Sequence, residues 1–229
     1  MKLLEPRMAR LRWPKIYRVI PSKHPPINFF EHIVAPEQME AAWYLESLTN
    51  DRLRDETGDI ALVPQAERVS GPGASVVMAA FTHIGNFTRF SDGSYGVYYA
   101  ARTLETAVRE TAFHRARFLA ATNEAPGEVD MRAYVGKLLE PLRDVRAPRF
   151  KFLHDPNSYA KSQAFARARR DKGDFGLVYR SVRHDGGECI AAFRPKAVSI
   201  PQPGAALAYV WDGARITNVY EKSEVLFQL

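Results

Sequence analysis

Hydrophobic and polar positions follow the period of a strand in some segments of the chain and the period of a helix in others. A short strand is predicted at Lys15–Ile20, and Pro21 ends it. Between Pro36 and about Arg54, apolar residues recur at near-helical spacing, which predicts a helix. Glycine and proline concentrate in residues 57–74, so this segment is predicted to be a loop.

The centre of the chain predicts two strands and then a long helix. The strands are VVMAAF at 76–81 and YGVYYA at 95–100, separated by a turn that contains glycine. The helix is predicted from Leu104 to about Ala120, and Thr103 is a suitable N-cap for it. A further strand is predicted at 133–139.

The last third predicts one helix and two pairs of strands. The helix is expected at Ser158–Lys172, with Asn157 or Ser158 as its N-cap. The strand pairs are expected at Gly176–Val182 with Cys189–Phe193, and at Leu207–Trp211 with Arg215–Tyr220. Strands and helices are mixed rather than strictly alternating. We therefore predict an α+β fold with a mixed, mostly antiparallel sheet flanked by helices.

Length and composition are those of a globular protein. The chain has 229 residues, of which 46% are hydrophobic and 25% charged. We expect residues 1–74 to be an N-terminal extension that packs on a core domain at 75–229, within one compact unit.

No run of 18 apolar residues occurs, which argues against a membrane span. The one cysteine, Cys189, cannot form an internal disulfide, so we expect a cytoplasmic protein.

The formal net charge is +6, with basic clusters at 7–18 and 167–172. A basic surface attracts nucleic acid, an acidic protein or small molecules that carry phosphate. The clusters could equally be solvated faces, and no nucleic-acid-binding motif accompanies them. The six histidines lack metal-ligand spacing, so we expect no metal. A nucleic-acid-binding module, such as a ribonuclease toxin, stays open as an alternative class.

Several residues could carry chemistry, and each also has an ordinary structural interpretation. Glu110 lies outside the apolar stripe of its helix, so it is either a solvent-facing carboxylate or one that points into a cleft. Arg89 is either a surface charge beside a turn or a fork for a pyrophosphate. Tyr98 and Tyr99 point to opposite faces of one strand, so one belongs to the core and the other can contact a ligand. Ser181 lies on a half-buried strand, where serine is usually a filler.

Taken in order, these residues resemble the RES-domain family, the toxin half of RES–Xre type II toxin–antitoxin pairs. The first block of that family has an arginine at a glycine-containing turn, a strand and a helix with a glutamate. It corresponds here to Arg89, GVYYAA and Glu110. The second block corresponds to GLVYRSVR, HDGGE and CIAAFRP, and it contains Ser181. The chain departs from the family at Asn86–Ser91, which lacks the usual glycines and tryptophan.

The resemblance implies an ADP-ribosyltransferase-like fold that binds NAD as a substrate and breaks its nicotinamide–ribose bond. Arg89 would hold the phosphates or the nicotinamide side, and Tyr99 or Tyr98 would pack on the nicotinamide ribose. Glu110 would support cleavage of the glycosidic bond, and Ser181 would complete the pocket. Transfer of ADP-ribose to a host protein is the expected outcome, with hydrolysis or phosphorolysis of NAD as the alternative.

The resemblance also implies a partner. We expect a cognate Xre-like antitoxin that neutralises the enzyme, and contact with nucleic acid only through that antitoxin.

Overall fold

A nine-stranded mixed sheet runs through the part of the chain that this computed structural model describes, residues 5–22 and 58–222. Its strand order is β1-β7-β8-β9-β5-β2-β6-β10-β11, and every neighbouring pair is antiparallel except β7 with β8. A short hairpin, β3–β4, lies outside this sheet. The strands are β1 (Met8–Ala9), β2 (Ile16–Pro21), β3 (Phe87–Thr88), β4 (Ser91–Asp92), β5 (Tyr98–Ala101), β6 (Gly127–Gly136), β7 (Leu142–Asp144), β8 (Gly176–Arg180), β9 (Glu188–Ala192), β10 (Gln202–Trp211) and β11 (Ile216–Glu221).

In the described part of the chain, three α-helices cover the two faces of the sheet. They are α1 (Ala74–Thr82), α2 (Leu104–Ala121) and α3 (Ala160–Asp171). On one face, Met78 and Phe81 of α1 belong to a buried cluster with Tyr98 of β5. On the other face, a second cluster joins residues of α2 and α3, such as Ala107 and Phe165, to the sheet. The predicted α+β class with a mostly antiparallel mixed sheet is confirmed.

The strand predicted at 76–81 is wrong, because these residues form most of α1. The helix begins after Gly73, whose φ of 83° belongs to the left-handed region that favours glycine. Val76, Val77 and Met78 are all buried, so the run is apolar on nearly every side. A short buried helix of this kind has no polar face, and its pattern cannot be told from that of a buried strand.

Most other predicted elements are confirmed with shifted ends. Helix α2 has Thr103 as N-cap, and its hydroxyl accepts from the N–H of Thr106. The strand predicted at 133–139 belongs to β6, which starts earlier and ends at Gly136. Neither predicted N-cap of the next helix is correct, because α3 begins at Ala160 after Tyr159, which makes no side-chain cap.

The strand pairs β8–β9 and β10–β11 are confirmed as antiparallel neighbours. The helix predicted from Pro36 to about Arg54 lies outside the described residues. The segment before residue 75 supplies β1 at one end of the sheet and β2 in its interior.

The sheet opens between two of its central strands, β2 and β5. These strands share a single pair of facing residues, Tyr17 with Ala101, whereas β2 pairs with β6 along its whole length. One residue further along, the Arg18 side chain donates from Nη1 to the backbone oxygen of Tyr99 at 3.2 Å. A side chain therefore replaces the backbone ladder at this point, and the two strands diverge around a cavity.

Candidate active site

The cavity between β2 and β5 measures about 250 Å³, and α2 closes one of its sides. Among the described residues, its wall includes a helical face of α2, whose members recur at the spacing i, i+3, i+4, i+7. They are Ala107, Glu110, Thr111 and His114. Opposite this face lie residues of β2 and β5 and the turn that carries Arg89. The cavity thus collects side chains from segments far apart in sequence.

Arg89 occupies the two-residue turn between β3 and β4, and only 7% of it is exposed. Its Nη1 donates to the backbone oxygens of Leu153 and Asp155, at 3.2 and 2.8 Å. The guanidinium also stacks on the Tyr159 ring, 4.8 Å from its centroid. Ser162 of α3 bonds to the backbone oxygen of Arg89 at 2.7 Å. Of the two interpretations open for Arg89, a surface charge is therefore wrong, because the turn is buried and held from several sides.

The two tyrosines of β5 have different positions. Tyr99 lines the cavity, while Tyr98 belongs to the core cluster beside α1, on the opposite face of the sheet. The Tyr99 hydroxyl accepts from the N–H of Phe90 at 3.0 Å and shares a 2.8 Å hydrogen bond with Thr88. These bonds brace both ends of the Arg89 turn. Burial raises the pKa of Tyr98 to about 12 and that of Tyr99 further, so both phenols are neutral.

Glu110 and Ser181 meet although 71 residues separate them. The Ser181 hydroxyl donates to Oε1 of Glu110 at 2.6 Å, and the N–H of Val182 donates to the same oxygen at 3.2 Å. Among the described residues, no group donates to the other oxygen, Oε2. One carboxylate oxygen is thus fixed in place, and the other is available to a ligand.

Ser181 itself lies behind Glu110 and is not part of the cavity wall that the described residues form. Its hydroxyl oxygen accepts from the N–H groups of Arg183 and His184, at 3.1 and 2.9 Å. With those donors on the oxygen, the hydroxyl proton is directed to Glu110. The geometry gives Ser181 the position of a residue that orients the glutamate.

Sequence reasoning missed Arg18, which also lines the cavity. Its guanidinium lies over the Tyr98 ring at 4.5 Å, and its Nε is buried without a hydrogen-bond partner among the described residues. Burial lowers its pKa, and no described carboxylate forms a salt bridge with it. The sequence did hold a clue to Arg18. Its charge lies within a strand between two apolar residues, Ile16 and Val19, which are buried in the structure, whereas a basic run that faces solvent has no apolar residues to bury.

Three further cavity residues were not assigned a role from sequence. His114 lies one turn beyond Glu110, and its pKa is lowered, chiefly by burial and further by nearby arginines, although Glu110 opposes this. Tyr179 is 5% exposed, and burial raises its pKa well above the ordinary value. Cys189 is buried, as expected, and burial likewise raises the pKa of its thiol, which leaves it a protonated part of the wall.

The described residues contain no group of three or more histidine, cysteine or acidic side chains placed to hold a metal. Within the same part of the chain, none of the helices has the length and apolar content that crossing a bilayer demands.

The chain is similar to known proteins in sequence and in fold. The chain is 28% identical over 209 residues to the protein y4oC of Sinorhizobium fredii (strain NBRC 101917 / NGR234), covering 90% of this chain and 86% of that protein. A solved structure, the MbcT–MbcA toxin–antitoxin complex of M. tuberculosis, matches 91% of this chain and 84% of its own with 10% identity and a TM-score of 0.42. The model of the RES domain family matches residues 65–212, which contain Arg89, Glu110 and Ser181. The chain belongs to the RES domain family.

Proposed function

We propose that this protein is the toxin of a type II toxin–antitoxin system, which binds NAD in the cavity, cleaves the nicotinamide–ribose bond and transfers ADP-ribose to a host protein. The observation that carries the proposal is the charge pattern of the cavity. Arg18 and Arg89 form no salt bridge with a described carboxylate, and they share the cavity with Glu110, whose Oε2 has no described donor. Arginine is suited to a pyrophosphate, and a carboxylate to a cationic sugar.

The size of the cavity supports binding of one half of the dinucleotide. A volume of about 250 Å³ is just below the range of small-molecule pockets, which is roughly 300–1,000 Å³. The nicotinamide and its ribose would lie inside, beside Glu110, and the pyrophosphate would reach the arginines. Tyr99 and Tyr179 would provide aromatic walls for the flat nicotinamide ring.

Bond cleavage then needs little more than placement and charge. The nicotinamide ring of NAD is already cationic, so it leaves with the bonding electrons as a neutral molecule and requires no strong general acid. The ribose becomes an oxocarbenium-like cation, which Glu110 would stabilise electrostatically. The acceptor nucleophile forms the new bond to the anomeric carbon, and its proton can pass to Oε2 of Glu110. Arg18 and Arg89 would hold the phosphates fixed during this exchange.

Degradation of NAD is the second candidate. The cavity lies within the split sheet, and Oε2 of Glu110 could activate water or another small nucleophile as readily as a protein side chain. In both candidates the same bond breaks, and only the acceptor differs. A neutralising Xre-like antitoxin is the partner that accompanies either reaction in this proposal.

One labelling experiment separates the candidates. The protein is incubated with NAD labelled on its adenylate, with and without cell lysate, beside a Glu110→Gln variant. Label on a protein band supports transfer, whereas free ADP-ribose or its 1-phosphate without a labelled band supports degradation. Absence of NAD turnover, with toxicity intact in Glu110→Gln, overturns both reactions. Steeply salt-dependent RNA binding in that case would favour a ribonuclease. Co-expression with the neighbouring gene product tests the antitoxin.

A further inference from the structure

The imidazole of His154 has both of its nitrogens committed to the backbone. Nδ1 lies 3.0 Å from the backbone oxygen of Phe150, and a carbonyl oxygen can only accept, so Nδ1 carries the proton. Nε2 accepts from the N–H of Arg180 at 3.1 Å, so Nε2 carries none. The hydrogen bonds therefore assign a neutral ring with the proton on Nδ1.

On one side, this ring stabilises the segment that holds Arg89. The bond from Nδ1 to Phe150 closes the end of a 3₁₀ turn at Pro148–Leu153. The two backbone oxygens that accept from Arg89 belong to Leu153 and Asp155, the residues immediately before and after His154. A shift of His154 would therefore move both acceptors of Arg89.

On the other side, the ring stabilises the segment that holds Glu110. Arg180 ends β8, and its N–H is the group that Nε2 accepts from. The next residue is Ser181, whose hydroxyl donates to Glu110 at 2.6 Å. One neutral imidazole thus connects the support of the arginine to the support of the carboxylate, although it does not line the cavity formed by the described residues.

Protonation of the ring would break this link. A protonated Nε2 is a donor, so it would confront the N–H of Arg180, and both would lose their partner. The guanidiniums of Arg89 and Arg180 face the ring and oppose a positive charge there. Tyr179 packs 6.4 Å from the ring but is neutral, and the carboxylate of Asp155 is engaged by backbone N–H groups of its own loop.

We propose that His154 is a proton-sensitive positioning residue: its neutral form keeps Arg89 and Glu110 in register across the cavity, and its protonation releases Arg180 and lowers NAD turnover. The claim that protonation of His154 lowers NAD turnover rests on the proposed function. Burial, together with the two arginines, holds the pKa of His154 below the ordinary histidine value, although the bond to Phe150 opposes this. Its stabilising effect is therefore complete above the ordinary value and is lost as pH falls through the lowered one.

A non-titrating variant provides the test. In His154→Gln, the amide oxygen can accept from Arg180 without a change of charge. We expect kcat/KM of the wild type to fall about tenfold per pH unit below the midpoint, as for one essential deprotonated group. His154→Gln should lose this decrease at low pH. The control is His83→Gln, which changes the C-cap residue of α1 and should keep the decrease. An unchanged decrease in His154→Gln, or its loss in His114→Gln instead, overturns the proposal.

A second readout needs no turnover and uses the unaltered protein. Nitrogen NMR of the imidazoles should show the Nδ1-protonated tautomer of His154 at neutral pH. Exchange of the Arg180 amide, corrected for the intrinsic pH dependence of exchange, should accelerate as His154 titrates. If the wild type turns over no NAD at any pH, the proposed function fails. The NMR result still decides the positioning role, which an Nε2-protonated tautomer or an unresponsive Arg180 amide would overturn.

Discussion

Replacement of Glu110 by glutamine removes one charge and leaves the local structure in place. The amide oxygen of glutamine can accept from Ser181 and Val182 as Oε1 does now, at 2.6 and 3.2 Å. A hydrogen bond to a charged group contributes about 1.5–3 kcal/mol and one between neutral groups about 0.5–1.5 kcal/mol. The cost to stability is therefore about 1 kcal/mol, and Tm should fall by only about 2–4 °C.

The effect on catalysis should be far larger. A carboxylate about 4 Å from a cationic sugar contributes about 4 kcal/mol at an effective dielectric constant of 20. At about 1.4 kcal/mol per tenfold, Glu110→Gln should lower kcat for nicotinamide release about 1,000-fold. Binding of NAD should change by less than about threefold, because the proposed phosphate ligands, Arg18 and Arg89, are untouched.

Single-turnover release of nicotinamide, followed by chromatography, measures the first quantity, and calorimetric titration of the slow variant with NAD measures the second. Glu128→Gln is the matched control, since Glu128 is 58% exposed on β6 and its carboxylate forms a salt bridge only with Lys222 among the described residues. It should behave as the wild type. A kcat for Glu110→Gln within tenfold of the wild type would refute the role of the carboxylate. So would a loss of NAD affinity as large as the loss of rate.

Three further substitutions test the supports of the site. Ser181→Ala removes the hydroxyl that orients Glu110, worth about 1.5–3 kcal/mol, so kcat should fall about 10–100-fold; an unchanged kcat would make the serine a filler. Tyr99→Phe removes two bonds to the arginine turn, and KM for NAD should rise about tenfold with a smaller change in kcat; a change in kcat alone would contradict this bracing role. Gly96→Ala would place a methyl group against the backbone oxygen of Ala80 in α1. This overpacking should destabilise the fold by about 3 kcal/mol and lower Tm by about 6–12 °C. An unchanged Tm would show that α1 can shift to make room for the methyl group.

Local patterns in the sequence were sufficient to predict an element where a single residue, such as an N-cap, determines where it begins. Helix α2 was predicted because Thr103 is a good N-cap and an apolar stripe follows it, and the structure contains both. Helix α1 was not, because its apolar run lacks a polar face and its β-branched pair, Val76 and Val77, favours a strand. Strand β6 was found only in part, since charged residues on its outward positions obscure the alternation of Val129 with Met131.

The candidate site depended on contacts that no local pattern encodes. The resemblance to a family supplied Glu110 and Ser181 separately, but their 2.6 Å hydrogen bond joins a residue of a helix to the residue that follows a distant strand. It follows from the pairing of β8 with β9 and β9 with β5, which brings the end of β8 to α2. Arg18 was overlooked for a related reason, because a charge within a strand is normally interpreted as facing solvent, and only the divergence of β2 from β5 gives it a cavity.

That divergence connects the fold to the chemistry. Where β2 leaves β5, backbone hydrogen bonds are given up and Arg18 is left with a buried Nε that no described group satisfies. Unsatisfied buried polar atoms cost about 1–3 kcal/mol each, so a fold retains such a feature only where surrounding structure over-determines it. Here the surrounding structure is extensive, since Tyr99 braces the arginine turn and His154 connects the two supporting segments. An anionic ligand would supply the partner that the split sheet withholds from the Nε of Arg18.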